Sequence, residues 1–87
     1  MYTVYVLYSK SFNKIYTGYT SDMDQRLISH NHLKNKGWTG RFKPWILVYS
    51  EKFEDKLKAM KRERQLKSFQ GRQFIWSKVK LYLEETC

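Results

Sequence analysis

Residues Tyr2 to Tyr8 read Tyr-Thr-Val-Tyr-Val-Leu-Tyr. All but the leucine are β-branched or aromatic, the side chains that suit a pleated strand best. Apolar groups fall at both odd and even positions. Successive strand residues point to opposite faces, so this strand must be covered on two sides. A chain of 87 residues has material for one domain, residues 1–87. That domain is therefore built around this segment as its central strand. Lys14 to Tyr19 reads as a second strand, and the short polar stretch Ser9 to Asn13 makes the two an antiparallel hairpin.

The segment Ile15 to His30 continues the hairpin into a helix. Gly18, near the end of the second strand, permits a close backbone approach. Ser21 with Asp24 resembles a capping box, and Asp22 and Asp24 suit the positive end of a helix dipole. The spacing predicts a helix from about Asp22 to Leu33, with Met23, Leu27 and Ile28 as its apolar face. Arg26 and His30 stand at i, i+4 and project from one face. With Tyr16 at the end of the strand, a phenol, a guanidinium and an imidazole can converge.

Lys34 to Pro44 reads as a loop holding Lys34, Lys36, Arg41 and Lys43 beside Trp38 and Phe42. Cations meet phosphate and rings stack on bases, which is what a nucleic-acid contact needs. The alternative is that Trp38 and Phe42 fold back onto the core. Trp45 to Ser50 is a third strand. Phe53 to Phe69 has no Gly or Pro and reads as a basic helix capped by Ser50 or Glu51, with Phe53, Leu57 and Met60 as one stripe. Gly71 breaks the pattern, and Gln73 to Leu83 forms a last helix. The order is β-β-α-β-α-α, an α+β domain. Within the basic helix Glu63 is isolated among cations. It either pairs with Lys67 at i, i+4 or aims a carboxylate at a site.

The net charge is +9, from 17 Lys and Arg against 8 Asp and Glu. That balance favours a polyanionic partner, nucleic acid ahead of an anionic membrane surface. One cysteine, Cys87, leaves no intramolecular disulfide and no cysteine zinc cluster. No apolar run approaches the roughly 20 residues of a membrane helix. No signal-peptide pattern opens the chain, and the expected location is the cytoplasm.

Several chemistries drop out. There is no Gly-x-Ser-x-Gly elbow and no glycine-rich phosphate loop. His30 and His32 are two apart and diverge on a helix, against a two-histidine metal site. What remains is phenols, one arginine, one histidine and one glutamate on a basic chain. That set suits attack on a phosphodiester: a base for water, a cation on the phosphate, and a carboxylate able to hold a hydrated divalent ion. Tyrosine serves as a base only where its surroundings make it one.

Thr3-Val4-Tyr5, then Tyr16-Thr17-Gly18 at the end of the next strand, then Arg26 and His30 on the following helix, resemble the GIY-YIG nuclease superfamily. Glu63, in Glu-Arg-Gln-Leu-Lys, stands where that family places its metal-binding glutamate. The likeness covers Tyr2 to about Lys67 and is greatest to short stand-alone bacterial members. Thr3 stands where the family name has Gly, and Thr17 where it has Ile. No counterpart is assigned to the Asn that many family nucleases carry beyond the glutamate. The resemblance implies a three-stranded antiparallel sheet flanked by helices and a shallow basic cleft holding Tyr5, Tyr16, Arg26, His30 and Glu63. By similarity Tyr5 or Tyr16 activates or positions water. Arg26 stabilises the scissile phosphate, His30 moves a proton or orients a tyrosine, and Glu63 binds a single Mg²⁺ or Mn²⁺. The expected activity is metal-dependent endonuclease action on DNA, branched or damaged DNA included. The alternative is a nucleic-acid-binding module that keeps the fold without efficient cleavage. A protein partner that supplies specificity is a further expectation.

Overall fold

The computed structural model describes residues 1–32 and 34–86. Two expectations, Leu33 as a helix end and Cys87 as an unpaired thiol, lie outside the described residues. The segment that demands two covered faces is the middle strand. Strand β1 (Tyr2–Ser9) lies between β2 (Lys14–Thr20) and β3 (Ile46–Phe53) in the order β2-β1-β3, antiparallel to both.

Each face of β1 has its own core. Val4, Val6 and Tyr8 pack with Ala59, Leu66, Ile75 and Val79. These come from α3 (Lys56–Leu66) and α4 (Phe69–Thr86), which cover that face. Tyr5 and Leu7 pack with Trp45 and, around its margin, Tyr16, Met23, Leu27 and Phe42. This second face is covered by α1 (Met23–Asn31) and a four-residue helix, α2 (Trp38–Arg41). Helix α2 falls inside the stretch the sequence reads as a loop, so the order is β-β-α-α-β-α-α.

The helix ends differ from the capping expectations. Asp22, not Ser21, caps α1, its carboxylate accepting from the Gln25 amide at 3.1 Å. Asp55 caps α3, accepting from the Leu57 amide at 2.9 Å. Ser50 and Glu51 cannot, because β3 runs on to Phe53. Helix α3 buries Ala59 and Leu66, while Leu57 is 72 % exposed. The small Ala59 lets the helix lie close on β1; of the expected stripe only Leu57 faces solvent, while Met60 is half-buried and Phe53 packs against the core from β3. On α1 likewise, Ile28 faces out.

Gly71 does not break the last helix. It lies in the first turns of α4, where a Cβ would stand 2.5 Å from the Leu66 Cα and overlap the Gln65 carbonyl. The glycine is where the end of α3 and the start of α4 touch backbone to backbone. Arg62 ties α3 to the sheet as well. Its Nε donates to both oxygens of Glu51 on β3 at 3.1 Å, with Nη2 3.0 Å from Oε2. Among the described residues no helix is long and apolar enough to cross a membrane.

Candidate active site

Tyr5 sits at the middle of β1 with its side chain fully buried on the α1 face. Its antiparallel register partner is Gly18. A Cβ on Gly18 would stand 2.6 Å from the Tyr5 hydroxyl and 2.9 Å from Cζ. The missing side chain on β2 is therefore the space the phenol occupies. The close approach that the glycine permits is thus made by the Tyr5 phenol and not by a backbone.

From α1, His30 turns inward and is the one buried residue of that helix. Its Nε2 lies 3.1 Å from the Tyr5 hydroxyl. The rings of Tyr16 and His30 are 4.8 Å apart, and those of Tyr5 and Tyr16 6.2 Å. Arg26, one turn before His30, remains exposed at the rim, yet its guanidinium acts on the Tyr5 phenol. Burial pushes the Tyr5 phenol above its ordinary value. Arg26 pulls the other way, and the neighbouring Tyr16 and Glu63 add to the rise. His30 is held below the usual imidazole range, first by burial and then by the Arg26 charge. Both groups are thus neutral near pH 7. A neutral Nε2 can accept the phenol proton.

Glu63 reaches this cluster from the other layer. Arg62 is committed to Glu51 on the β3 side, and the next residue, 100° further round α3, presents a different face. The carboxylate is close enough for its charge to bear on Tyr5. It also pairs with Lys67, Oε1 to Nζ at 2.6 Å. Both readings open at the sequence level hold together: Glu63 has the i, i+4 partner, and it belongs to the Tyr5 neighbourhood.

Beside these residues the chain from His32 to Trp45 is held by side-chain amides. Asn35 donates to the His30 carbonyl at 2.9 Å and to Thr39 Oγ1 at 2.8 Å, and accepts from the Gly37 amide. Asn31 brackets the Trp45 backbone, donating to its carbonyl at 3.0 Å and accepting from its amide at 2.6 Å. The indole of Trp45 donates to the Thr39 carbonyl. Neither outcome foreseen for the aromatics holds alone. Phe42 is half-buried, whereas Trp38 is 49 % exposed while leaning on Phe42, Trp45 and Tyr16 at centroid distances of 4.9, 5.9 and 6.3 Å. Lys34, Lys36 and Arg41 are exposed, and Lys43 donates to the His32 carbonyl. A cleft of about 430 Å³ lies between Arg26 and His30 on one side and His32, Lys34, Asn35 and Thr39 on the other.

The GIY-YIG catalytic domain matches residues 1–75. The chain belongs to the GIY-YIG family. Its two tripeptides lie side by side on β1 and β2, with Tyr5 across from Gly18. A UPF0213 protein of Staphylococcus haemolyticus is 40 % identical over 70 residues, covering 80 % of this chain and 84 % of that one. A UPF0213 protein of Bacillus velezensis is 37 % identical over 73 residues, 84 % of this chain and 69 % of that one. The solution NMR structure of a UPF0213 protein from Bacillus halodurans is 34 % identical, with a TM-score of 0.53 over 88 % of this chain and 84 % of that one. The GIY-YIG membership makes the fold nuclease-like and points to nucleic acid as the partner class.

Nucleases of the GIY-YIG family depend in general on a divalent metal. Among the described residues there is no group of three His, Cys, Asp or Glu side chains that could enclose an ion. The donor set fits a Mg²⁺-like ion that keeps most of its waters and takes one carboxylate, Glu63. It does not fit a closed zinc site. Lys67, long and 53 % exposed, is the cation such an ion would displace.

Sequence reasoning did not single out Asn31, Asn35 or Arg72. The first two are positioning residues, visible in sequence only as polar side chains at a helix end. Arg72 lines a cleft with Tyr16, Trp38 and Lys67, and nothing in its sequence surroundings marks it.

Proposed function

We propose that this domain is a metal-dependent endonuclease that hydrolyses phosphodiester bonds in DNA, branched or damaged DNA among its substrates. One observation carries the reading: a buried phenol, Tyr5, lies 3.1 Å from the neutral imidazole of His30, with the Arg26 guanidinium at the rim and the Glu63 charge felt at the same phenol. One strand and two helices on opposite faces of the sheet supply these groups, an arrangement that core packing alone does not call for.

Tyr5 donates its proton to His30 Nε2. As that proton passes to the imidazole, which lines the cleft, the phenol oxygen takes one from the attacking water; because Tyr5 is fully buried in this structure, substrate binding must open its edge to that water. The relay needs no free phenolate, which burial disfavours. Arg26 sits at the rim and receives the non-bridging phosphate oxygens, remaining charged throughout. Tyr16 stacks beside His30 and holds the ring in line. Glu63 would hold the Mg²⁺ or Mn²⁺, which when bound would supply Lewis-acid stabilisation of the phosphate and the leaving oxygen. Lys34, Lys36, Arg41 and Lys43 with Trp38 grip the flanking backbone. The reading places the protein in the cytoplasm, with residues 1–87 acting as one catalytic unit and a protein partner adding specificity.

The test is cleavage of a panel of duplex, single-stranded, flap and junction DNAs with Mg²⁺ or Mn²⁺. Cleavage of at least one is expected, with Glu63→Ala and Arg26→Ala abolishing it while their melting curves stay cooperative. Failure to cut any substrate overturns the enzymatic reading. Salt-sensitive binding in that case assigns the domain to nucleic-acid binding without turnover.

A further inference from the structure

A second surface lies beside the cleft, joined to it by the Tyr16–His30 ring contact, and is not explained by the catalytic cluster. Around the β2 edge, Ile15, Tyr16, Thr17 and Trp38 face Leu66, Lys67 and Arg72 across a cleft of about 260 Å³. Lys67 and Arg72 also line a neighbouring depression of about 410 Å³ with Phe69, Gln73 and Trp76. The two hollows share their cations and form one path. It runs from Trp38 beside the Tyr16–His30 pair, over the junction of α3 and α4, to Trp76.

The chemistry along this path alternates. Trp38 is half-exposed and backed by three other rings. Arg72 is exposed and makes no ion pair among the described residues. Phe69 is 76 % exposed, with no ring neighbour among the described residues. Trp76 is held edge-on against Tyr8, centroids 6.1 Å apart at 85°. Two ring platforms thus flank two cations, Arg72 and the Glu63-paired Lys67, and no acid lies in the first turn of α4. A phenylalanine left this open does nothing for the core.

We infer that this path is a binding track for a single strand of nucleic acid leaving the catalytic cleft. Bases stack on Trp38 at one end and on Phe69 and Trp76 at the other, and phosphates lie on Arg72 and Lys67 between them. The inference rests on the reading that the cleft takes nucleic acid, and extends it from the scissile phosphate to an unpaired flank. Duplex bases are stacked on each other and cannot use the platforms; an unpaired strand can. The charge of Arg72 complements a phosphate chain, and the Tyr16–His30 ring contact brings one end of the path to the cleft, which gives that chain a direction.

The experiment is fluorescence-anisotropy binding of a labelled 15-nucleotide single strand, without divalent metal, to the wild-type chain and three surface variants. Phe69→Ala and Arg72→Ala are each expected to weaken binding about tenfold. Arg72→Ala is also expected to reduce the slope of log affinity against log salt by about 0.7. Lys52→Ala, which removes an equal charge from β3, is expected to change affinity less than twofold. Thermal melting of the same samples confirms that these exposed positions leave the fold intact. Wild-type affinity in both track variants, an equal loss in all three, or no binding by the wild type overturns the track. So does a Phe69-dependent association with anionic phosphatidylglycerol vesicles in place of the oligonucleotide. Because the readout is binding without metal, the two readings fail separately. Absent cleavage with the expected binding pattern removes the nuclease and keeps the track. Cleavage with unchanged variant binding does the reverse.

Discussion

The hydroxyl of Tyr5 occupies the position that a side chain on Gly18 would need, 2.6 Å from the Cβ that the glycine lacks. The two residues are register partners on neighbouring strands. A family motif that reads as two separate tripeptides is thus one steric unit, with the phenol of the first lodged over the glycine of the second.

Gly18→Ala follows directly. The methyl would collide with a buried ring that is held by His30 and cannot swing into solvent. Overpacking of this kind costs about 1–3 kcal/mol. The expected outcome is a lower melting temperature together with loss of cleavage. An alanine variant that melts and cuts like the wild type would show that the phenol does not depend on this space.

The pH response of the site has a defined sign. His30 is held below its ordinary value in the folded protein. The unfolded chain therefore binds more protons below about pH 6.5, and stability falls as the pH drops through that range. Above it this group contributes no pH dependence. The relay needs the same neutral imidazole, so the acid limb of the cleavage rate should lie below about pH 6.5. Tyr5, shifted upward, adds a loss of stability only above about pH 10. Melting temperatures across pH 5–11 and single-turnover rates across pH 5–9 check both. An acid limb above pH 7 would rule out the neutral histidine.

Glu63→Gln separates catalysis from folding. The Lys67 pair is partly exposed, so its loss should cost only about 0.3–0.5 kcal/mol. Cleavage should fall at least about a hundredfold and should not recover when Mn²⁺ replaces Mg²⁺. Retained activity would move the metal elsewhere.

Gly71→Ala should be severe for a different reason. The new methyl meets backbone atoms of Gln65 and Leu66, not a movable side chain tip. A loss of about 3 kcal/mol is expected, measured by urea denaturation. A mild effect would mean that α3 and α4 can separate at this junction.

Glu51→Gln tests the tie that orients α3. Burial works to raise the Glu51 carboxyl, but hydrogen bonds from Arg62 and Tyr49 outweigh it and hold the group below the usual carboxylate range. Stability from this group is full above about pH 4.5 and is lost as the pH falls through its lower folded value. The glutamine variant should lose about 1 kcal/mol at pH 7, discounted for partial exposure. It should also lack that acid-side decline. Identical melting profiles from pH 3 to pH 7 would remove the tie from the account.

The strands were legible because Tyr2–Tyr8 leaves a chain few alternatives, and their order follows once that strand is central. The approach of Tyr16 to His30 was legible from strand end and helix spacing. The cap at Asp22 was missed because Ser21 and Asp22 are both good capping residues, and only the helix phase decides between them. The exposed face of α3 was misread because Ala59 carries little hydrophobic weight in a pattern, yet its smallness is what brings the helix onto the sheet. Gly71 was read as a stop because sequence records the absence of a side chain, not the neighbour that requires it. The placement of Glu63 depended on how α3 is rotated, and Arg62 and Glu51 set that across eleven residues of chain.

One strand faces two separate cores, and this divides the molecule's tolerance to change. The layer of α3 and α4 holds the larger apolar cluster. The α1 layer is thin, with His30 as its one buried residue and the Asn31 clasp on Trp45 as its fastening. Local opening draws on the weaker layer first. Sequence drift in α1 and the following segment can therefore re-tool what the domain recognises while the opposite layer keeps it folded. A small single-sheet protein gains in this way a replaceable working face on a conserved chassis.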